Sequence, residues 1–318
     1  MSNKRIFYAT QAVLLGGAGA TLGSSHVVKG VQSLGVNTTI GHKKIADLGK
    51  PSPISILEDK PLLDISLERI LSSASDIIFP SAGGNLLADA THATEYDMLL
   101  LVGEEARDQI DTSGAVTQAE LKLSYLQIAS VSYTISVDGP ITEAISFSGH
   151  NKEWVTTRTF SSTGELGYTH AANVGRRGDY NTGSSVIPSE VKGAIQNITI
   201  SFDLSRRQVV DLGKRQGAST ASEVNRYKLL DIPIQISTEI TTVIAEKDFS
   251  SDITAQSFSN TPASEQIKAV ITLGGVDVTF DMGSENYLDS VNRSGGDAGG
   301  GNSEASYSYT NWNTFSIS

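Results

Sequence analysis

Five features of this 318-residue sequence carry residue types that could do chemistry. "LLGGAGATLG" (14–23) has the look of a strand entering a glycine-rich phosphate loop. A dinucleotide site needs that turn to open a helix inside a βαβ unit, with an acidic residue about 20 places on. The next residues, "SSHVVKGVQSLGVNTTI", alternate like a strand, and no Gly-Lys-Ser/Thr appears, so a tight backbone approach or a plain loop is expected. The histidines, His26, His42, His92, His150 and His170, are scattered, and none has a partner at metal-ligand spacing. Glu104, Glu105, Asp108 and Asp111 form a charged stretch of the kind that usually faces solvent. Glu143 is the exception on the apolar side of an otherwise clean alternation. It is either a carboxylic acid whose pKa burial would raise or, preferred, a group past the sheet edge or paired with Arg or Lys from a neighbouring subunit. Arg177-Gly178-Asp179 is the tripeptide of cell-adhesion ligands, but three residues in a glycine-rich loop arise easily by chance. No catalytic residue, metal site or cofactor is expected, and the chain is not read as an enzyme.

The bulk composition narrows the classes further. A formal net charge of -11 opposes sequence-independent binding to nucleic-acid backbone, which needs clustered Lys and Arg to displace counterions. With 0 cysteines there are no thiolate metal sites, cysteine nucleophiles or disulfides, and the length is enough to bury a core without them. No apolar run reaches the roughly 20 residues of a spanning helix. The start, "MSNKRIFYATQAVLLGGAGA", imitates a secretion signal, yet Tyr8, Thr10 and Gln11 interrupt its apolar stretch, so a signal peptide is not expected.

The elements that would position these residues are mostly strands. "VSYTISVDGPITEAISFSGH" (131–150) alternates on both sides of a break at Asp138, Gly139 and Pro140. A period of two means one buried and one wet face. "ITISFDL" (198–204) and "DIPIQISTEI" (231–240) alternate likewise, Pro233 placing the latter at a sheet edge or at the strand's first residues. "IKAVITLGGVDVTFDM" (267–282) is a hairpin turning at Gly274-Gly275, and "YSYTNWNTFSIS" reads as a last strand. Helices are expected at 61–76, from Leu63, Leu67, Ile70 and Leu71, and at 219–230, from a capping box of Thr220 with Glu223. Long loops are expected at 161–190 and 284–306, both rich in Gly, Ser and Asn. The fold class is therefore mainly β (α+β), one domain over 1–318, with antiparallel sheets.

The wet faces share a character. They present Thr134, Ser136, Thr142 and Ser146; Thr199, Ser201 and Asp203; Gln235, Ser237 and Glu239; and Thr272, Asp277, Thr279 and Asp281, with Lys268 as the one cation. Ordinary sheets place Lys near such faces against edge pairing. A sheet closed into a barrel with neighbours has no edge to protect, and hydroxyls with scattered carboxylates would hold water and repel phosphate.

The stretch "VVKGVQSLGVNTTIGHKKIADLGKPSPISILEDKPLLDISLERIL" (27–71) resembles the N-terminal part of tail tube proteins of tailed bacteriophages. "VSYTISVDGPITEAISFSGHNKEW" (131–154) resembles the strand-turn-strand of that group. The resemblance implies two packed antiparallel sheets with a flanking helix, and subunits closing into rings, usually six-fold, whose pooled strands make one barrel around a lumen. Stacked rings would conduct DNA during ejection without binding it specifically. It further implies a homo-oligomer in the virion tail, assembled in the host cytoplasm beside other tail proteins such as sheath, baseplate or terminator, with no membrane partner. The wet-face residues above, other than Thr272 and Lys268, become lumen-facing candidates. Glu143, Arg176, Arg177 and Asp179 become inter-subunit candidates, and residues 161–190 with the N-terminal arm would clamp the adjacent ring. The chain is larger than a minimal tube subunit, which leaves a sheath, initiator or terminator role open. The alternative is a secreted or cell-surface β-sandwich binding module; an oxidoreductase built on the glycine-rich loop is remote.

Overall fold

A computed structural model describes residues 11–49, 51–58, 62–73, 77–79, 95–103, 117–149, 151–155, 174–191, 193–209, 227–244, 264–295 and 303–318. The described chain is almost entirely antiparallel β. Its strands are β1 (Gln11–Gly17), β2 (Val31–Thr39), β3 (His42–Ile45), β4 (Ser55–Glu58), β5 (Leu62–Ile70), β6 (Tyr96–Gly103), β7 (Thr117–Ser136), β8 (Thr142–Gly149) and β9 (Asn151–Val155). They continue with β10 (Ala194–Asp203), β11 (Arg206–Val209), β12 (Tyr227–Leu230), β13 (Gln235–Val243), β14 (Lys268–Leu273), β15 (Val276–Asp281), β16 (Tyr287–Ser294), β17 (Glu304–Trp312) and β18 (Ser316–Ile317).

One large sheet runs in the order β16-β17-β13-β10-β7-β8-β5-β2, so each strand in its middle is paired on both sides. The 20-residue β7 extends beyond this path. Its second half pairs with β8 and β10, and its first half with β6 and β9, while β1 adds to β6. The direction changes where Tyr125 takes φ 57 and the β6–β7 register slips. Asp97 fixes that bend: its Oδ1 accepts the Tyr125 N–H at 3.0 Å and its Oδ2 accepts the Gly19 N–H at 2.9 Å. One carboxylate thus holds both the kink and the glycine-rich turn after β1.

A second, three-stranded sheet, β14-β15-β18, packs on the inner face of the first. The interface is aromatic. Tyr133 of β7 lies 5.0 Å from Phe280 of β15, and Phe202 of β10 lies 5.0 Å from Phe315, with Phe79 at 5.2 Å from Phe202. Alternation supplies the rest, since Ile198, Ile200 and Phe202 on β10 and Ile234, Ile236 and Ile240 around β13 are all buried in one core. The β14–β15 hairpin turns as expected, Gly274 and Gly275 taking φ 60 and 86, values that only glycine adopts at no steric cost. Pro233 lies just before β13, which is interior to the sheet, so the proline sits outside the hydrogen-bonded ladder.

Three expectations are corrected. Residues 62–70 are a strand, not a helix, because Leu63, Ile65 and Leu67 alternate with Asp64, Ser66 and Glu68 and the chain buries the odd positions. The spacing of Leu63, Leu67 and Leu71 fits both periods, and pairing with β2 and β8 decides between them. Of the helix expected at 219–230, residues 219–226 lie outside the described residues, and Tyr227–Leu230 is strand β12. Of the loop expected at 284–306, Tyr287–Ser294 is β16, paired along its length with β17. No flanking helix occurs among the described residues, which hold only short 3-10 turns at 24–26 and 177–179, and no described sheet of the single chain closes into a barrel.

Candidate functional site

The large sheet has an outer face that its register makes continuous. Ser290, Ser308, Glu239, Thr199, Thr134 and Thr142 stand opposite one another across six adjacent strands, from β16 to β8. The next row runs Ser237, Ser201, Ser132, Ala144, Glu68 and Ser33, from β13 to β2. A third runs Asp203, Ser130, Ser146, Ser66 and Gly35. Short side chains in these rows bond to each other: Ser130 Oγ lies 2.6 Å from Ser146 Oγ, and the Ser306 hydroxyl donates to Glu239 Oε1 at 2.5 Å. Among the described residues, no Lys or Arg occupies a paired position on this face from β16 to β2, whereas Glu304, Glu239, Asp203, Asp64 and Glu68 do. The surface is hydroxylic and anionic.

This places ten of the thirteen lumen-facing candidates together: Thr134, Ser136, Thr142, Ser146, Thr199, Ser201, Asp203, Gln235, Ser237 and Glu239. Asp277, Thr279 and Asp281 do not join them. They belong to β15, whose inward residues Val278 and Phe280 meet the large sheet's inner face, so alternation turns these three to the opposite side of the sandwich. A pattern of period two gives the side of a strand but not which of two sheets the strand enters.

Beneath the hydroxyl rows, the inner face holds a carboxylate that breaks its apolar pattern. Glu143 is 0% exposed, and its partner is Arg69 of the same chain, not a residue of a neighbouring subunit. Arg69 Nε donates to Oε2 at 2.6 Å, and the Tyr133 hydroxyl donates to Oε1 at 2.8 Å. The three residues lie side by side on β5, β8 and β7, one row of the ladder. Burial, and then the adjacent Glu143 carboxylate, push the Tyr133 phenol well above its ordinary pKa, so it remains a donor. Glu143 and Tyr133 are fully buried, while Arg69, itself nearly buried, lines a small pocket with His26, Lys29 and Tyr96. Sequence reasoning missed Arg69 because it assigned 61–76 to a helix. The signal was present in the alternation Leu63, Ile65, Leu67, which points residue 69 to the same side.

Arg176, Arg177 and Asp179 lie at one end of the sandwich. They form a 3-10 turn closed by Asp179 Oδ2 accepting the Arg176 N–H at 2.9 Å. Together with the β7–β8 turn (Val137, Asp138, Pro140) and the β14–β15 turn (Gly274, Gly275), they border a groove of about 1200 Å³. Gly175 anchors this segment, bonded through its N–H to Leu71 and through its carbonyl to Ile141. A Cβ there would meet Leu273 Cδ2 at 2.6 Å and Ile141 Cδ1 at 3.0 Å, so a larger residue would have to displace those side chains. Further along, Asn181 and Val186 bond to β14. The described half of the 161–190 loop is therefore fastened to its own chain; residues 161–173 lie outside the described residues.

The other chemical readings resolve more simply. The glycine-rich turn opens no helix, and Asp97 takes the Gly19 amide, so an anion would meet a carboxylate where a phosphate loop offers N–H groups. His26 Nδ1 accepts the Gly23 N–H at 3.2 Å. No cluster of metal-ligating side chains occurs among the described residues, and His92, His150, His170, Glu104, Glu105, Asp108 and Asp111 lie outside them. No described helix is long and apolar enough to cross a membrane. No protein-family model matches this chain, and no curated protein matches it, so the outer face and the end groove must be interpreted from their own geometry.

Proposed function

We propose that this chain is a structural subunit of a phage tail tube, whose copies close into rings and stack around a lumen lined by the hydroxyl face of the large sheet. The observation that carries this is the absence of Lys and Arg from every described paired position of that face across β16 to β2, with carboxylates among the hydroxyls. A polyanion passing such a surface meets bound water and weak repulsion in place of counterion-releasing contacts. Small side chains also leave the wall without long projecting groups.

The sheet edges support the same reading. β2, "VQSLGVNTT", is nine residues long and contains no charge and no proline. A long uncharged edge is an aggregation hazard unless something pairs with it, and a neighbouring copy in a closed ring removes the hazard. In this function the chain performs no covalent chemistry; it assembles and conducts.

Negative-stain electron microscopy of the purified protein across a concentration series tests the proposal. Rings or tubes with a stain-filled centre are expected. A protein that stays monomeric at every concentration overturns it.

A further inference from the structure

A pocket of about 400 Å³ lies where β1 and β6 meet the large sheet, and it shares no lining residue with the end groove. Leu15 and Gly16 of β1, the segment 25–29, Ile77 and Ile78 form its walls, completed by Arg69 of β5 and Tyr96 of β6. The 25–29 segment is fastened there, because the Val28 N–H donates to the Val13 carbonyl at 2.8 Å and Val27 bridges to Leu14. The volume falls within the range of about 300–1,000 Å³ typical of small-ligand sites.

The polar lining is made of hydrogen-bond donors. Arg69, 2% exposed, is its most buried polar group. Its Nε donates to Glu143 Oε2, but its Nη2, 2.5 Å from the same oxygen, is out of line for a hydrogen bond and has no acceptor among the described residues. A buried cationic nitrogen left without an acceptor is costly and rare, and it marks the place of an absent acceptor. His26 Nδ1 accepts the Gly23 N–H, which puts the ring proton on Nε2 and makes that atom a donor. Lys29 adds an ammonium group. Among the described residues no Asp or Glu lines the pocket, although the chain as a whole carries a net charge of -11.

We infer that this pocket binds a small aliphatic monocarboxylate. The carboxylate accepts from Arg69 Nη2 and lies beside Lys29 and His26, while the tail packs on Leu15, Val27, Ile77 and Ile78. Charge balance selects one negative charge. Glu143 already offsets Arg69, so Lys29 supplies the one uncompensated cation of the lining, and a phosphate dianion would leave a buried charge unpaired. The inference does not depend on how copies of the chain assemble.

Isothermal titration of octanoate into the full chain at neutral pH tests this. Saturable binding of one octanoate per chain is expected, and octylamine, with the same tail and the opposite charge, should not bind. Lys29→Glu, at an exposed position, should weaken octanoate binding by at least roughly tenfold, since it sets like charges side by side. Arg69→Met with Tyr133→Phe and Glu143→Leu removes the guanidinium together with its buried partners and leaves an apolar core. That variant should lose octanoate binding while its thermal unfolding stays close to that of the wild type. If it does not fold, Lys29→Glu and the octylamine comparison decide. An absence of saturable octanoate binding up to roughly millimolar concentration would mean that water satisfies Nη2, and would overturn the inference. Equal binding of octylamine, or an affinity unchanged by Lys29→Glu, would overturn it as well. Inorganic phosphate that displaces octanoate at lower concentration would assign a bare anion site and overturn the aliphatic part. None of these outcomes bears on ring formation, so the pocket and the tube reading stand or fall separately.

Discussion

Two hairpins of this chain have similar size and opposite fates. β14–β15 alternates Ala269, Ile271 and Leu273 against Val278 and Phe280, and all of these are buried because the hairpin lies on the inner face of the large sheet. β3–β4 carries comparable aliphatics, yet Ile45, Ile56 and Leu57 stay in water because no described layer of the same chain reaches them. Local pattern makes both into hairpins. Burial depends on whether a facing layer exists, and the described chain supplies one for the first hairpin alone. The difference separates residues that maintain the fold from residues available for contact with other molecules.

That contrast can be broken in order of expected effect. The largest changes belong to the core. Glu143→Leu strands the Arg69 guanidinium in a buried site, and should cost about 3–5 kcal/mol in denaturant unfolding. Replacing the network as a whole, with Arg69→Met, Tyr133→Phe and Glu143→Leu together, should return to within about 1 kcal/mol of wild type or exceed it. If the single and triple variants are equally unstable, the network is not a self-contained unit. Phe280→Ala, which empties the aromatic contact between the sheets, should cost about 3–5 kcal/mol by the same measurement.

A smaller effect is expected in alkali. Burial raises the Tyr133 phenol above its ordinary pKa, and burial with the nearby Glu190 carboxylate raises that of Tyr309. The native state then holds protons that the unfolded state releases, so their contribution is complete below the unfolded pKa near 10 and is lost as pH rises above it. Unfolding free energy should fall above about pH 10, and Tyr133→Phe should reduce the slope by about 1.4 kcal/mol per pH unit. An unchanged slope would mean that the phenol is not held in its neutral form.

The smallest stability effects belong to the surfaces. Ile56→Ala on the β3–β4 hairpin and Thr199→Lys on the hydroxyl face should each change unfolding free energy by no more than about 0.5 kcal/mol. Their consequences should appear in assembly and in transport. Under the proposed function, Thr199→Lys tubes should retain DNA in a filter-binding assay at low salt, where wild-type tubes do not. A loss of several kcal/mol from Ile56→Ala would show that the β3–β4 hairpin belongs to the core and erase the contrast between the hairpins.

Much of this was legible in the residues. The alternation at 131–150, 198–204, 231–240 and 267–282 fixed strands β7, β8, β10, β13, β14 and β15, and Gly274-Gly275 fixed a turn, because each depends on neighbours within a few places. The hydroxyl character of the wet faces came from the same period. Residues 62–70 were misassigned because leucines four apart satisfy a helix and a strand equally, and only the pairing of β5 with β2 and β8 separates the two.

The sequence by itself therefore determined the inside and outside of each strand and the scarcity of cations on the exposed sides. Tertiary structure decided which strands share a face. It set Asp277, Thr279 and Asp281 on the opposite layer, joined Arg69 to Glu143 across 74 residues, and left β3–β4 without cover from the described chain. The physical reason is one of range. Side-chain alternation is a property of consecutive residues, whereas sheet membership, buried charge pairing and the presence of a facing layer are set by contacts between segments far apart in the chain.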